Sequence, residues 1–139
     1  MLVNITYVLD TNILLDLFVF HDPHMQGLYA AVSSKTIKVI ASQKTVNELA
    51  DVISRPVFSL SAKEQNTILS EWKNLVHMID DKNLLIAPLT CKDEDDQIFI
   101  DLAYSFRPSV LISKDNEVLK LRKQAAKEMI QIQSSYVLF

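Results

Sequence analysis

Short runs of apolar, often β-branched residues alternate along the chain with longer stretches in which apolar residues recur every three or four positions. The runs fall at Thr6–Leu9, Ile37–Ala41, Leu84–Ala87 and Val110–Ile112, with a last one within Ile130–Leu138. Most are apolar throughout, as parallel strands covered on both faces should be. Between them, Ile68, Trp72, Leu75, Val76 and Ile79 share one face of a helix that Ser61 and Glu64 open as a capping box. Ile98, Phe99, Leu102, Ala103 and Phe106 repeat the pattern ahead of Pro108. Pro23, Pro56, Pro88 and Pro108 sit at element boundaries, and no repeat or low-complexity tract interrupts the alternation. The pattern predicts an α/β chain, a three-layer α/β/α sandwich around a central parallel sheet. Residues 1–139 suffice for one such domain.

Composition restricts the chemistry more than the fold. Of 139 residues a single one, Gly27, is glycine. A dinucleotide fingerprint needs three glycines and a phosphate-cradling P-loop needs two, so neither can be written here. Cys91 stands alone, which leaves no internal disulfide and no thiolate zinc cluster. Its plain reading is a small buried hydrophobe. His21, His24 and His77 bring no second set of zinc ligands with them.

The net charge of −3 argues against a basic surface that grips nucleic acid without specificity. An acidic chain can still act on a polyanion where bound metal neutralises its carboxylates. Asp10 and Asp16 interrupt the most hydrophobic stretch, and nothing approaches the ~18 uncharged apolar residues of a membrane span. No basic stretch leads into an apolar run at the amino terminus, so no signal peptide is expected. The expectation is a soluble, cytoplasmic protein without a membrane partner.

The acids fall where such a sheet puts its ligands, outside the carboxyl ends of the strands. Asp10 follows the first strand and Asp115 follows Val110–Ile112. The cluster Asp93-Glu94-Asp95-Asp96 stands at the entry to the Ile98–Phe106 helix, and Glu48 in the first turns of the helix after Ile37–Ala41. Each also reads as a helix cap: Asp10 and Asp115 as N-caps, Asp93 with Asp96 as cap plus N3 acid, Thr45 with Glu48 as a capping box. The charge run also reads as a solvated loop, although four consecutive acids repel one another unless something positive sits among them. Gathered on one sheet edge, four acids suit a hard cation such as Mg²⁺. Such a site fits phosphodiester cleavage, in which metal polarises the phosphoryl group and lowers the pKa of an attacking water.

These residues carry a family resemblance. The opening strand followed by Asp10-Thr11-Asn12 resembles the start of the PIN domain, the PilT N-terminus nuclease fold. Asn47-Glu48-Leu49, continuing through Asp51 to Arg55-Pro56-Val57-Phe58, is similar to its VapC-like subfamily of toxin components from toxin–antitoxin pairs. Cys91-Lys92-Asp93-Glu94-Asp95-Asp96-Gln97-Ile98-Phe99 and Leu111-Ile112-Ser113-Lys114-Asp115 resemble the third and fourth blocks. The blocks run in the family's order from residue 7 to residue 115.

The resemblance implies a metal-dependent endoribonuclease that uses Mg²⁺ or Mn²⁺ and leaves 3′-hydroxyl and 5′-phosphate ends. It implies Asp10, Glu48, Asp96 and Asp115 as catalytic, metal-binding acids, with Asp96 preferred over Asp95 because the apolar pattern aligns from it. Thr11, Asn12 and Ser113 would orient the carboxylates by hydrogen bonds, and Asp93 could also reach the site. Lys44 and Lys114 are the candidate RNA contacts, with solvated surface lysines as the plain alternative. Lys114 stands where the family more often has a small or basic residue, and Ser105-Phe106-Arg107-Pro108 lacks the family's glycines.

The same resemblance implies an RNA substrate, a cognate antitoxin protein and a homodimer. Val19, Phe20 and Met25 are the apolar residues that could meet a partner or pack in the core. Two rival readings stay open. A haloacid-dehalogenase-type phosphohydrolase also has an Asp after strand one and a Ser (Ser42) after strand two, but wants a second aspartate where Asn12 stands. A non-catalytic PIN module would keep the fold and bind RNA or protein without turnover.

Overall fold

A computed structural model of the chain describes residues 4–136. The elements run β1 (Thr6–Leu9), α1 (Thr11–Phe18), α2 (Gln26–Ser33), β2 (Lys38–Ser42), α3 (Gln43–Ile53), α4 (Ala62–Leu75), β3 (His77–Ile79), α5 (Gln97–Ser105), β4 (Ser109–Ile112), α6 (Asn116–Leu119), α7 (Arg122–Lys127) and β5 (Ile130–Gln133). The five strands form one parallel sheet in the order β3-β2-β1-β4-β5. β1 is central, with Thr6 opposite Lys38 on one side and Thr6 to Leu9 opposite Ser109 to Ile112 on the other.

Period-2 alternation splits the core into two layers. Tyr7, Leu9, Val39, Ala41, Val110 and Ile112 point to the face covered by α1, α2, α3 and α4. Val8, Ile40 and Leu111 point to the opposite face, where Phe99, Leu102, Val118 and Ala125 of α5, α6 and α7 meet them. Helices therefore cover both faces, and the α/β/α sandwich expected from the sequence is the architecture found.

Four details differ from the sequence expectation. The strand expected at Leu84–Ala87 is a loop, and the edge strand is His77–Ile79 instead. Leu85 and Ile86 are 53% and 87% exposed, while Leu84 and Ala87 pack against the core beneath α5, so only part of the run is covered. Its backbone donors are taken by side chains of α5: Leu85 N–H by Ser105 Oγ at 2.8 Å and Ala87 N–H by Asp101 Oδ1 at 3.0 Å. With those donors satisfied locally, no sheet ladder is needed.

The second difference lies in α4, which opens on the expected Ser61–Glu64 box but ends at Leu75. Val76 is already extended and Ile79 belongs to β3, although both continue the helical spacing. Third, the cap of α3 is Ser42, whose N–H donates to Thr45 Oγ1 at 3.0 Å. Glu48 is thus no cap and is free to reach across the sheet edge. Fourth, Met25 is a core residue, while Phe20 is exposed beside Phe58, their ring centroids 5.9 Å apart. The last run is seen as β5, and positions 137 and 138 of the expected stretch lie outside the described residues.

Candidate active site

The chain leaves β1 toward β2 and β3, then returns to the other side of β1 as β4. That reversal opens a crevice at the carboxyl ends of β1 and β4, the usual ligand position in open α/β sheets. Asp10 ends β1 and caps α1; Asp115 follows β4 and caps α6. Glu48 arrives from α3 on the β2 side, and Asp93 and Asp96 bracket a 3₁₀ turn, Glu94–Asp96, that leads into α5. The structure therefore brings all four expected acids, and Asp93 with them, to one rim.

Asp10 is buried and held by two donors. Thr11 N–H donates to Oδ1 at 2.6 Å, and Ser113 Oγ donates to Oδ2 at 2.5 Å. The same Ser113 oxygen accepts the Asp115 N–H at 3.1 Å, so one fully buried hydroxyl ties both strand ends together. Burial raises the pKa of Asp10, the bonds from Ser113 and Thr11 pull it back, and the charges of Asp115 and Asp93 raise it again. Thr11 Oγ1 donates to Glu48 Oε2 at 3.1 Å, and Asn12 Oδ1 accepts the Lys114 N–H at 3.3 Å.

The opposite flank is less well supplied. Carboxylate oxygens of Asp93, Asp96 and Asp115 lie within 4.8 Å of one another. Asp93 Oδ1 caps its turn by accepting the Asp95 N–H at 3.0 Å, and Asp115 Oδ1 accepts the Glu117 N–H at 2.8 Å. Capping and clustering are thus not alternatives: a carboxylate that caps with one oxygen still has a second to offer. Asp96 is buried, whereas Asp95 is exposed, and Asp96 Oδ2 has no hydrogen-bond partner. Burial, followed by the charge of Asp10 and the contact with Asp115, pushes the pKa of Asp96 far above the carboxylate range. Burial also raises Glu48, to about 7, against the pull of its Thr11 bond.

A divalent cation fits this donor set. Hard oxygen ligands converge, one buried oxygen lacks any partner, and the negative charges are mutually destabilising without a counter-charge. The positive side chains nearby supply none to the triad. Lys114 pairs through its Nζ with Asp16 Oδ2 instead of standing free at the rim, and Lys44 is exposed at the start of α3 with its N–H on Asp81 Oδ2 at 3.2 Å. The phosphohydrolase alternative loses its serine: Ser42 is fully buried, and Asn12 is occupied with Lys114.

Three supporting residues went unread in the sequence. Gln97 accepts the Cys91 N–H at 2.6 Å and donates to Leu89 O at 3.1 Å and Asp101 Oδ1 at 3.0 Å. With Asp101, which holds Ala87, it fastens the loop that delivers Asp93 and Asp96. Asp16 is the third, buried in α1 and paired with Lys114. A polar residue on an otherwise apolar helix face was the available signal for Asp16 and Asp101.

No curated protein sequence matches the chain. Among solved structures, a chain in the crystal structure of VapBC2 from Rickettsia felis bound to a DNA fragment from their promoter is similar in fold. Its TM-score is 0.59 at 17% identity, covering 92% of this chain and 98% of that one. Within the described residues, no helix is long and apolar enough to cross a membrane. The family model of the PIN domain matches residues 6–117, a span that takes in Asp10, Glu48, Asp96 and Asp115. The chain belongs to the PIN domain family, a family of nucleases.

Proposed function

We propose that this chain is a metal-dependent endoribonuclease that hydrolyses RNA phosphodiester bonds at the rim between β1 and β4. The observation that carries the reading is the buried Asp96 Oδ2, unpartnered beside the carboxylates of Asp115 and Asp93. Asp10, Glu48, Asp96 and Asp115 would hold Mg²⁺ or Mn²⁺, with Asp93 as an adjoining ligand. The cation supplies charge neutralisation and polarisation of the scissile phosphoryl group.

The chain's own residues do the positioning. Ser113 and Thr11 fix both oxygens of Asp10, and Thr11 turns Glu48 inward. Asn12 anchors the backbone that precedes Asp115. The proton that Asp96 retains when the site lacks a cation must leave before its carboxylate can act as a ligand, so metal affinity rises with pH. The deep placement of Asp10 and Asp96 strengthens each electrostatic contact they make.

The wider role that fits this reading is the toxin of a type II toxin–antitoxin pair, acting in the cytoplasm. The likeness to a chain of VapBC2 supports it, and so do the exposed Phe20 and Val57 beside the half-buried Phe58, an apolar surface available to an antitoxin or a second copy. The decisive test incubates purified protein with single-stranded and structured RNAs, with and without Mn²⁺. Metal-dependent internal cleavage, lost in Asp96→Asn with the fold intact by circular dichroism, is the expected result. Binding without cleavage would move the chain to the non-catalytic class, and full activity in the variant would overturn the site.

A further inference from the structure

A positive charge stands in the middle of the acidic rim's own chain segment. Lys114 lies between Ser113, which holds Asp10, and Asp115, one of the proposed ligands. Both of its ends are fastened to α1. Its N–H donates to Asn12 Oδ1 at 3.3 Å, and its ammonium pairs with Asp16 Oδ2. Asn12 and Asp16 are four residues apart on α1, so they share one face of it. The helix rises about 6 Å between them, a span that an extended lysine side chain covers. The Lys114 side chain therefore runs along α1, away from the Asp10 end.

That direction matters because α1 and α5 cover opposite faces of the sheet. Asp93 and Asp96 arrive at the rim from the α5 side, and the ammonium is drawn to the other. Asp22, whose carboxyl the His24 N–H bond holds below its usual range, also feels this ammonium, as a charge on the α1 side should make it. Lys92 adjoins Asp93 as well, but it is exposed beside the exposed Glu94 and Asp95.

Asp16 is 5% exposed on a largely apolar helix. Such a buried pair is a weak source of stability, since apolar replacements are often neutral or better. The rim supplies a stronger reason for it. Oxygens of Asp93, Asp96 and Asp115 converge within 4.8 Å, and an ammonium released one residue from Asp115 would be attracted to them. Seated there, it would occupy the ligands and repel a divalent cation. We propose that Asp16 is a positioning residue that withholds the Lys114 ammonium from the acidic rim and keeps the rim open to a divalent cation; the proposal rests on the metal-site reading above.

The experiment measures Mn²⁺ affinity by calorimetry, without RNA. Asp16→Asn should weaken binding about 10–100-fold. Adding Lys114→Met to it should restore affinity to within ~3-fold of wild type. Adding Lys92→Met instead should restore nothing. A merely structural Asp16 predicts that the Asp16→Asn, Lys114→Met double variant binds as weakly as Asp16→Asn alone. That result overturns the proposal, and so does wild-type affinity in Asp16→Asn. A second readout needs no metal: the carboxyl carbon resonances of Asp93 and Asp115 should shift in metal-free Asp16→Asn and return in the double variant. Unmoved resonances overturn the proposal. If wild type binds no Mn²⁺, the metal-site reading itself fails, and the carboxyl resonances alone decide whether Asp16 withholds the ammonium. Should Asp16→Asn not fold, Asp16→Leu exchanges the buried charge for an apolar side chain and carries the same expectations.

Discussion

Asp10 and Asp96 are nearly equally buried, at 3% and 7% exposure, on opposite flanks of one crevice. The Asp10 flank is complete without any ion: its two oxygens receive a backbone N–H from the first residue of α1 and the hydroxyl of Ser113, directly after β4. The Asp93–Asp96 flank hangs on a 3₁₀ turn behind a loop, and Asp96 keeps an oxygen with no partner. One side is a preformed cradle and the other is an unmet demand. Local stability is therefore concentrated on the strand side, while the turn side holds the electrostatic strain that a cation would relieve.

Breaking the demand should have the largest effect. Asp96→Asn removes a carboxylate that would ligate the cation, so Mn²⁺-dependent cleavage should fall on the order of 10³-fold or more. The metal-free variant should meanwhile melt above wild type once pH exceeds about 8, where the wild-type carboxyl becomes a buried charge that Asp10 and Asp115 oppose. A lower melting temperature in the absence of metal would show that Asp96 serves the turn and not an ion.

Breaking the cradle should cost less. Ser113→Ala strips a donor from Asp10 and an acceptor from the Asp115 N–H, and activity or metal affinity should drop roughly 10–100-fold. Unchanged affinity by calorimetry would mean that the strand ends do not need the hydroxyl to hold Asp10.

Acidity tests both flanks together. Glu48 titrates near 7 in the folded chain against an ordinary 4.5, so the folded state keeps a proton that the unfolded state releases. Metal-free stability should be full below about pH 4.5 and fall as pH rises through 7, by on the order of 1–2 kcal/mol after allowing for partial exposure. Saturating Mn²⁺ should flatten that slope in thermal melts, and a slope indifferent to metal would separate Glu48 from the ion. The change with the least expected effect on cleavage concerns the loop behind the turn. Gln97→Ala forfeits three hydrogen bonds and should cost about 1–3 kcal/mol, with faster amide exchange at Cys91 but not at Asp10.

The same contrast governs what could be read in the sequence. β1 and β4 are buried along their whole length, so their apolar runs announce them, and the acids that end them stand out by position. β3 is a three-residue edge strand with two exposed positions, and Val76 and Ile79 prolong the spacing of α4 closely enough to mask its end. Leu84–Ala87 looked like a strand because apolar residues follow one another, yet its N–H groups donate to Ser105 and Asp101, some 14 to 20 positions away, and it forms a loop. Gln97 owes its role to bonds back into the loop before it, which leave no local pattern, and Asp101 shows only as a polar residue on an otherwise apolar helix face. Asp96 was set apart from Asp95 by the apolar pattern that follows it, and in the structure it is Asp96 that is buried and Asp95 that is exposed.

The bond from Ser113 to Asp10 spans 103 positions of chain. During synthesis the amino-terminal two-thirds can form β1, β2 and the helices between them, and still present Asp10 without its hydroxyl partner or Asp115. The crevice closes only when β4 docks against the central strand, so a chain still lacking β4 cannot gather these acids at one rim. Separating the acids so widely in the sequence makes completion of the sheet the event that assembles the site.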